Sequence, residues 1–451
     1  MKINVTFLRK NDRNIFNSCT TDYVFFITLF PVNNISTPLL YKSLGQSNFF
    51  CVPINILILL FIFLICSFFP INLRYLFFFI FLLYLLLFFN NFHKICNEIL
   101  KKKNLSLKLF FIAINLFLFF DLAYNLEIGW DGLAIWIFKV NNFYNGQSYF
   151  NLFEQEIAFK QYPHLGSYTW AFFWKNSLIE KEYFGRFFYQ YIYVVSVFVI
   201  ANSIKIFSNL KIIITIFCLI LLSQDYDNTL QGYQDYLLFS LLIFAGKLIQ
   251  TIASRNNSNN LFLNIFFLLS ILIIPWIKNE GAFYSIFLVI LFFLSKTTYL
   301  MKFIFSFLAI LNIGSHAFIT KFIYNLDNLY QISFNTILLF FKNFDVSNLL
   351  IKISYIFLYL FHGFTKYPIT ILYLIGILYV IKYKKITYQN KFFLIFFFMQ
   401  CLFIFGIYIL TNADLVWHLQ TSIKRLILQT SGFYLFISIW VINNFGKKLF
   451  P

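Results

Sequence analysis

The sequence predicts an all-α protein, a polytopic bundle of about 12–14 membrane-spanning helices with one large extracytoplasmic loop. Three observations carry that expectation. The 451 residues are 60% hydrophobic and only 12% charged, against roughly 25% charged in an ordinary soluble chain. Mean hydropathy is +0.76. Apolar runs of span length recur along most of the chain, with the charges clustered between them. A formal charge of +18, from 35 Lys+Arg against 17 Asp+Glu, would suggest nucleic acid on a soluble surface. Set between apolar runs, it is instead the anchoring pattern of cytoplasmic loops. A soluble globular protein and a nucleic-acid partner are both excluded.

The elements follow in order. The first fifty residues open with basic MKINVTFLRKNDRN, and no small-residue cleavage site follows the short apolar stretch Val24 to Val32, so no cleaved signal peptide is read. Segment 24–41 either lies flat or spans. Long apolar runs fall near 52–71, 74–91, 106–123, 187–204, 210–223, 236–253, 260–277, 282–297, 301–319, 349–365, 367–383, 391–411 and 426–445. Lipid satisfies no backbone hydrogen bond, so each run is expected to be a helix.

Short loops rich in Lys and Arg set the orientation. Lys94, Lys101, Lys102, Lys103 and Lys108 mark the connection before the third run as cytoplasmic. Lys205 with Lys211, Arg255, Lys296 with Lys302, and Lys382 with Lys384, Lys385 and Lys391 mark later cytoplasmic turns. Alternation then places 124–186, 224–235, 277–281 and 412–425 outside. The count balances if Leu329 to Phe341 crosses or re-enters. The chain divides into N-terminal spans (1–123), an extracytoplasmic loop (124–186) and a membrane bundle (187–451), expected to form one integrated domain. Cys51, Cys66, Cys218 and Cys401 lie in or beside apolar runs, Cys19 and Cys96 in polar connections, and no spacing resembles a metal or redox motif.

Five constellations carry chemistry. In the long loop, Glu127 and Trp130-Asp131 are followed by Trp136 and Lys139. An acid emerging from a membrane helix is poised to face a bound head group and act as a general base. A helix cap beside an interfacial Trp explains the same pattern, and the whole loop also reads as an interfacial hairpin with an aromatic belt. Later in that loop, Tyr162-Pro163 forces an extended backbone before a helix, and His164 is either a phosphate or proton ligand or simply solvated. Asp225 and Asp227 precede Gly232-Tyr233-Gln234-Asp235. Carboxylates this close suit a hard divalent cation, and an acidic loop opening a helix accounts for them equally. Lys278-Asn279-Glu280-Gly281 is a polar island between two apolar runs, where an ionisable pair is a functional candidate by default. The fifth runs from Asp414 through Trp417-His418 and Thr421-Ser422 to Lys424-Arg425 and Gln429. On a helix, His418, Ser422, Arg425 and Gln429 share one face. An Arg just inside an apolar run suits capture of a lipid phosphate through two parallel hydrogen bonds.

Trp130-Asp131, Tyr162-Pro163, Gly232-Tyr233 with Asp235, Lys278 to Gly281, and Trp417-His418 with Thr421, Ser422 and Arg425 follow one another as in bacterial GT-C-type glycosyltransferase-like membrane proteins. The chain thus resembles relatives of the dolichyl-phosphate-mannose protein mannosyltransferases and the lipopolysaccharide sugar transferases, over about residues 125–430. The resemblance implies an enzyme of the bacterial inner membrane, a polyprenyl-phosphate sugar donor, chemistry on the extracytoplasmic side and an essential acid at Asp131. Two departures stand out. Gln161 replaces an acid before Tyr-Pro, and Lys424 stands where an Asp is usual. A second acid in the first loop is therefore in question, with Glu127, Glu154 and Glu156 as substitutes.

The expected function is sugar transfer from a polyprenyl phosphate to a glycan, lipid or protein acceptor. Asp131 is the catalytic residue, and Arg425, His418 and Lys139 hold the donor phosphate. Tyr162, His164, Asp235, Lys278, Asn279, Glu280, Ser422 and Gln429 bind substrate or support the site. The sequence marks no definite cofactor, Asp225 and Asp227 are the candidates for holding a divalent cation, and no phosphate-cradling Gly-rich loop points to a nucleotide sugar. The alternatives are a transporter or flippase of lipid-linked glycans, although no repeat relates the halves, and an O-antigen polymerase or ligase.

Overall fold

The computed structural model describes residues 51–100, 105–155, 159–203, 231–253, 260–326, 345–366, 388–411 and 413–449, with a few short pieces between 215 and 382. Among these residues every regular element is helical. The described chain opens with α1 (Cys51–Ser67), α2 (Leu73–Leu100) and α3 (Leu105–Tyr124). The long loop then folds as a π turn (Gly132–Trp136), α4 (Ile137–Tyr144), a single turn at Asn151–Glu154 and α5 (Leu165–Lys175). Next come α6 (Tyr183–Asn202), α7 (Asp235–Ile252) and α8 (Leu261–Ile273). A 3-10 turn (Ile274–Trp276) leads into α9 (Asn279–Leu294) and α10 (Tyr299–Ala317), which a second π turn (Phe318–Ile323) extends. The last three are α11 (Val346–Lys366), α12 (Tyr388–Ile409) and α13 (Leu415–Leu449).

Among the described residues, five stretches are long and apolar enough to cross a membrane: Tyr183–Asn202, Asp235–Ile252, Tyr299–Ile323, Val346–Thr365 and Lys391–Ile409. Shorter apolar helices cover Val52–Ser67, Leu73–Leu86, Leu109–Tyr124, Leu261–Trp276 and Asn279–Leu294. Segment 24–41, and most of the runs at 210–223, 329–341 and 367–383, lie outside the described residues.

Helices α6 and α7 are apolar all round and buried nearly all round, which is how an interior helix reads. Around α7 pack α6, α8 and α13. By contrast α10 and α11 turn Phe303, Phe307, Phe357 and Phe361 outward, an apolar face suited to lipid. Glycine lets α7 and α13 approach closely. A Cβ on Gly432 would stand 2.4 Å from Ile243 Cδ1, and one on Gly246 would stand 3.0 Å from the Phe433 ring. Asp235 at the start of α7 meets Arg425 and Gln429, and Ile243 and Gly246 further along meet Gly432 and Phe433, so the two helices run in the same direction.

Two boundaries differ from the apolar runs. Helix α2 continues to Leu100, so Lys94 and Cys96 sit on a helix and not in a connection. The polar residues after Phe89 include no Gly or Pro, so nothing in them stops a helix. Helix α13 starts at Leu415, well before its apolar stretch, because the Asp414 carboxylate accepts from the Trp417 amide at 2.7 Å and caps it.

The long loop is not a surface hairpin. Trp136, Tyr149 and Trp170 are fully buried, and α5 packs against α1, α4 and α6. Its aromatic residues therefore build a core, while Trp130 is 64% exposed.

Candidate functional site

Four segments far apart in sequence converge where the start of α7 lies beside Arg425 of α13. Asp131 opens the π turn after α3, and its side chain makes no cap bond to the turn's own amides. It instead accepts from Arg425 Nη2 at 2.5 Å, across 294 residues of chain. The capping explanation for Asp131 therefore does not hold, and a π turn beside it fits a common placement of such turns at functional sites.

Asp235 is the hub. It begins α7, where the helix dipole favours a negative charge. Its Oδ2 accepts from Arg425 Nη2 at 2.9 Å and Nε at 3.2 Å. Its Oδ1 accepts from Lys278 Nζ at 2.8 Å and Gln429 Nε2 at 2.5 Å. With its side chain only 2% exposed, this carboxylate would be costly without those four donors. Gln429 is fixed in turn by Tyr284, whose hydroxyl donates to Gln429 Oε1 at 3.0 Å. Lys278 also lies 3.5 Å from Glu280 Oε1, and the Glu280 side chain keeps 23% of its surface exposed. The Arg425 guanidinium lies 5.0 Å from the Tyr233 ring centroid, a stacking position for a planar cation. Two cations thus face three carboxylates. Burial raises the Tyr233 phenol above its usual range, and the Asp131 charge adds to that shift.

Local sequence dictates these placements. Lys278 has extended backbone before α9, and Gly281 allows the helix start to fold back on the preceding turn: a Cβ there would be 2.2 Å from the Ile274 carbonyl oxygen. The Asp131 segment is held from behind. The Gly129 amide donates to the Gln231 carbonyl at 3.0 Å, and a Cβ on Gly132 would meet that same oxygen at 2.6 Å. Arg186, fully buried, donates to the carbonyls of Glu127 at 2.7 Å and Leu126 at 3.2 Å, and pairs with Glu182 at 2.9 Å. The pattern of residues did not single out Arg186 or Tyr284. A cation at the end of a loop entering an apolar helix was the one available signal for Arg186, whereas nothing in the sequence marks Tyr284 as the partner of Gln429.

Other expected residues lie elsewhere. Lys139 is fully buried, donates to the Tyr162 carbonyl at 2.6 Å and sits against the Trp136 and Tyr162 rings, apart from Arg425. Burial lowers its pKa well below the usual lysine value. His164 is a core residue and not a solvated loop histidine: it stacks on Tyr149 at 4.0 Å and its Nε2 lies 2.7 Å from Ser67 Oγ. Burial, with Lys139 and His316 nearby, lowers the His164 pKa well below the usual imidazole value. His418 is half-buried about two turns before Arg425 on α13, its Nδ1 2.9 Å from Thr411 Oγ1, and Ser422 lies 2.7 Å from the Tyr408 hydroxyl. Asn279 begins α9, half-buried. Glu127 is exposed, Glu154 bonds to Asn151, and neither joins the cluster, so the further acids come from Asp235 and Glu280. The carboxylate partners of Arg425 are Asp131 and Asp235, while Asp414 caps α13. Asp225, Asp227 and Glu156 lie outside the described residues, among which no group of three or more His, Cys, Asp or Glu is placed to hold a metal ion.

No family model, curated protein or solved structure matches this chain.

Proposed function

We propose that this protein is a membrane glycosyltransferase of GT-C type, which moves a sugar from a polyprenyl-phosphate donor to a glycan, lipid or protein acceptor outside the cytoplasm. The observation that carries the reading is the meeting of Asp131 with Arg425, Asp235 and Lys278. Their four segments are those that the Lys and Arg pattern assigns to one side of a bacterial inner membrane. Their convergence supports that assignment and a multi-pass topology.

In this reading an acceptor hydroxyl attacks the anomeric carbon while Asp131 takes its proton. The bond from that carbon to the phosphate oxygen breaks with inversion, and the oxygen leaves with the electron pair. Arg425 stabilises the charge that develops on the departing phosphate, and Lys278 adds a second cation in the same low-dielectric site. Loss of one such donor typically costs about 2.7–4 kcal/mol of barrier. Asp235, saturated by donors, positions both cations and takes no proton.

The test is release of free polyprenyl phosphate by the purified protein in detergent, given a panel of polyprenyl-phosphate sugars and a short acceptor. Release that requires both the acceptor and Asp131 supports transfer. A flippase of lipid-linked glycans would move the intact donor across vesicles and release nothing, and that result would replace the transferase reading.

A further inference from the structure

The guanidinium of Arg425 has two edges able to grip an oxyanion with parallel N–H bonds. The edge formed by Nε and Nη2 is taken by Asp235. Asp235 is itself fixed by Lys278 and Gln429 and is only 2% exposed, so it is not a carboxylate that yields. The other edge is formed by Nη1 and Nη2. Among the described residues Nη1 bonds to no side chain, and the second hydrogen of Nη2 goes to Asp131. Asp131 has no other side-chain partner there and is 10% exposed, on a π turn that does not use it as a cap. One ligand on this edge is exchangeable.

Resting on the transferase reading, we propose that Asp131 and the donor phosphate are alternative ligands of the same edge of Arg425. A phosphate ester seated on Nη1 and Nη2 displaces the Asp131 carboxylate, while Asp235 keeps its hold on the opposite edge. The displaced carboxylate, relieved of its cation, then has its lone pairs available to an acceptor hydroxyl. Donor binding in this scheme switches on the base, so the donor binds before the acceptor. Without donor, the base is masked and cannot activate water against an empty site.

The scheme predicts that removing the catalytic acid tightens binding of the leaving group. Equilibrium binding of a short-chain polyprenyl phosphate in detergent is measured for the wild type, Asp131→Asn, Asp131→Ala and Arg425→Ala. The expected order is Asp131→Ala about tenfold tighter than wild type, with Asp131→Asn between them, since a neutral amide competes less than a carboxylate. Arg425→Ala is expected to lose binding. Equal or weaker binding in both Asp131 variants, with a wild type that binds, overturns the exchange and leaves the transferase reading standing. Absence of binding in every form overturns both. Inorganic phosphate serves as the second probe, expected to follow the same order with at least tenfold lower affinity. If it binds the wild type as tightly as the lipid does, the ligand is free phosphate and the donor assignment falls.

Discussion

Asp131 offers the cleanest separation of structural and chemical roles, because Asn caps a turn about as well as Asp and the turn here uses no side-chain cap. Asp131→Asn is expected to leave folding and membrane insertion intact while transfer falls by about 10²–10⁴, the usual contribution of a positioned base. Wild-type turnover in a normally expressed Asn variant would assign Asp131 a structural role. Arg425→Lys is expected not to restore activity to the site. A lysine is a point charge and cannot lie between Asp131 and Asp235 while stacking on Tyr233. If Arg425 merely anchored α13 by snorkelling, Lys would serve nearly as well, so donor turnover at matched expression decides. Gln429→Leu strands one acceptor site on Asp235 and the Tyr284 hydroxyl together. The expected loss is about 1–3 kcal/mol of stability, read as a lower unfolding temperature in detergent. At this scale the sequence was legible along a helix and illegible across it. Helical spacing put His418, Ser422, Arg425 and Gln429 on one face, but Asp235, the shared partner of Arg425 and Gln429 and 190 residues from Arg425, could not follow from spacing on α13 alone.

Among the elements, the turn from Ile274 to Gly281 places Lys278 beside Asp235, and it depends on a backbone approach that only glycine permits. In Gly281→Ala the added Cβ meets the Ile274 carbonyl, a rigid backbone atom, and not the movable end of a side chain. The start of α9 must shift, taking Lys278 with it. Overpacking of this kind costs about 1–3 kcal/mol, and activity is expected to fall further than stability, because Lys278 has one buried acceptor to reach. A stable Ala variant with full turnover would show that Lys278 tolerates displacement. The helices themselves were mostly legible, since apolar runs of span length leave the chain few other structures. Their ends were not, wherever a polar sequence continued a helix, as α2 does to Leu100, or a cap started one early, as Asp414 does for α13. The buried core of the long loop was also hidden, because Trp and Tyr suit an interfacial belt and a packed core alike, and only their partners distinguish the two.

For the whole molecule, sidedness is the property on which the function turns. The parallel arrangement of α7 and α13 brings Asp235 and Arg425 to one end of the bundle, and the Asp131 and Lys278 segments reach the same end. A donor phosphate can be read by all four only if that end faces the leaflet where the head group is presented. Lys101, Lys102 and Lys103 precede α3, and α3 leads directly to the Asp131 segment, so in the proposed topology a single crossing separates the two. Asn145, exposed at the end of α4, provides the reporter. In intact cells, and in a background freed of native reactive thiols, a membrane-impermeant thiol reagent is expected to label Asn145→Cys at once. It should reach Lys102→Cys only after permeabilisation. The reverse pattern would place the cluster at the cytoplasmic face, where nucleotide sugars are supplied, and would remove the reason for assigning a polyprenyl-phosphate donor to Arg425. Labelling of both positions in intact cells would mean that α3 does not cross, and the loop would then have to reach the outer face by another helix.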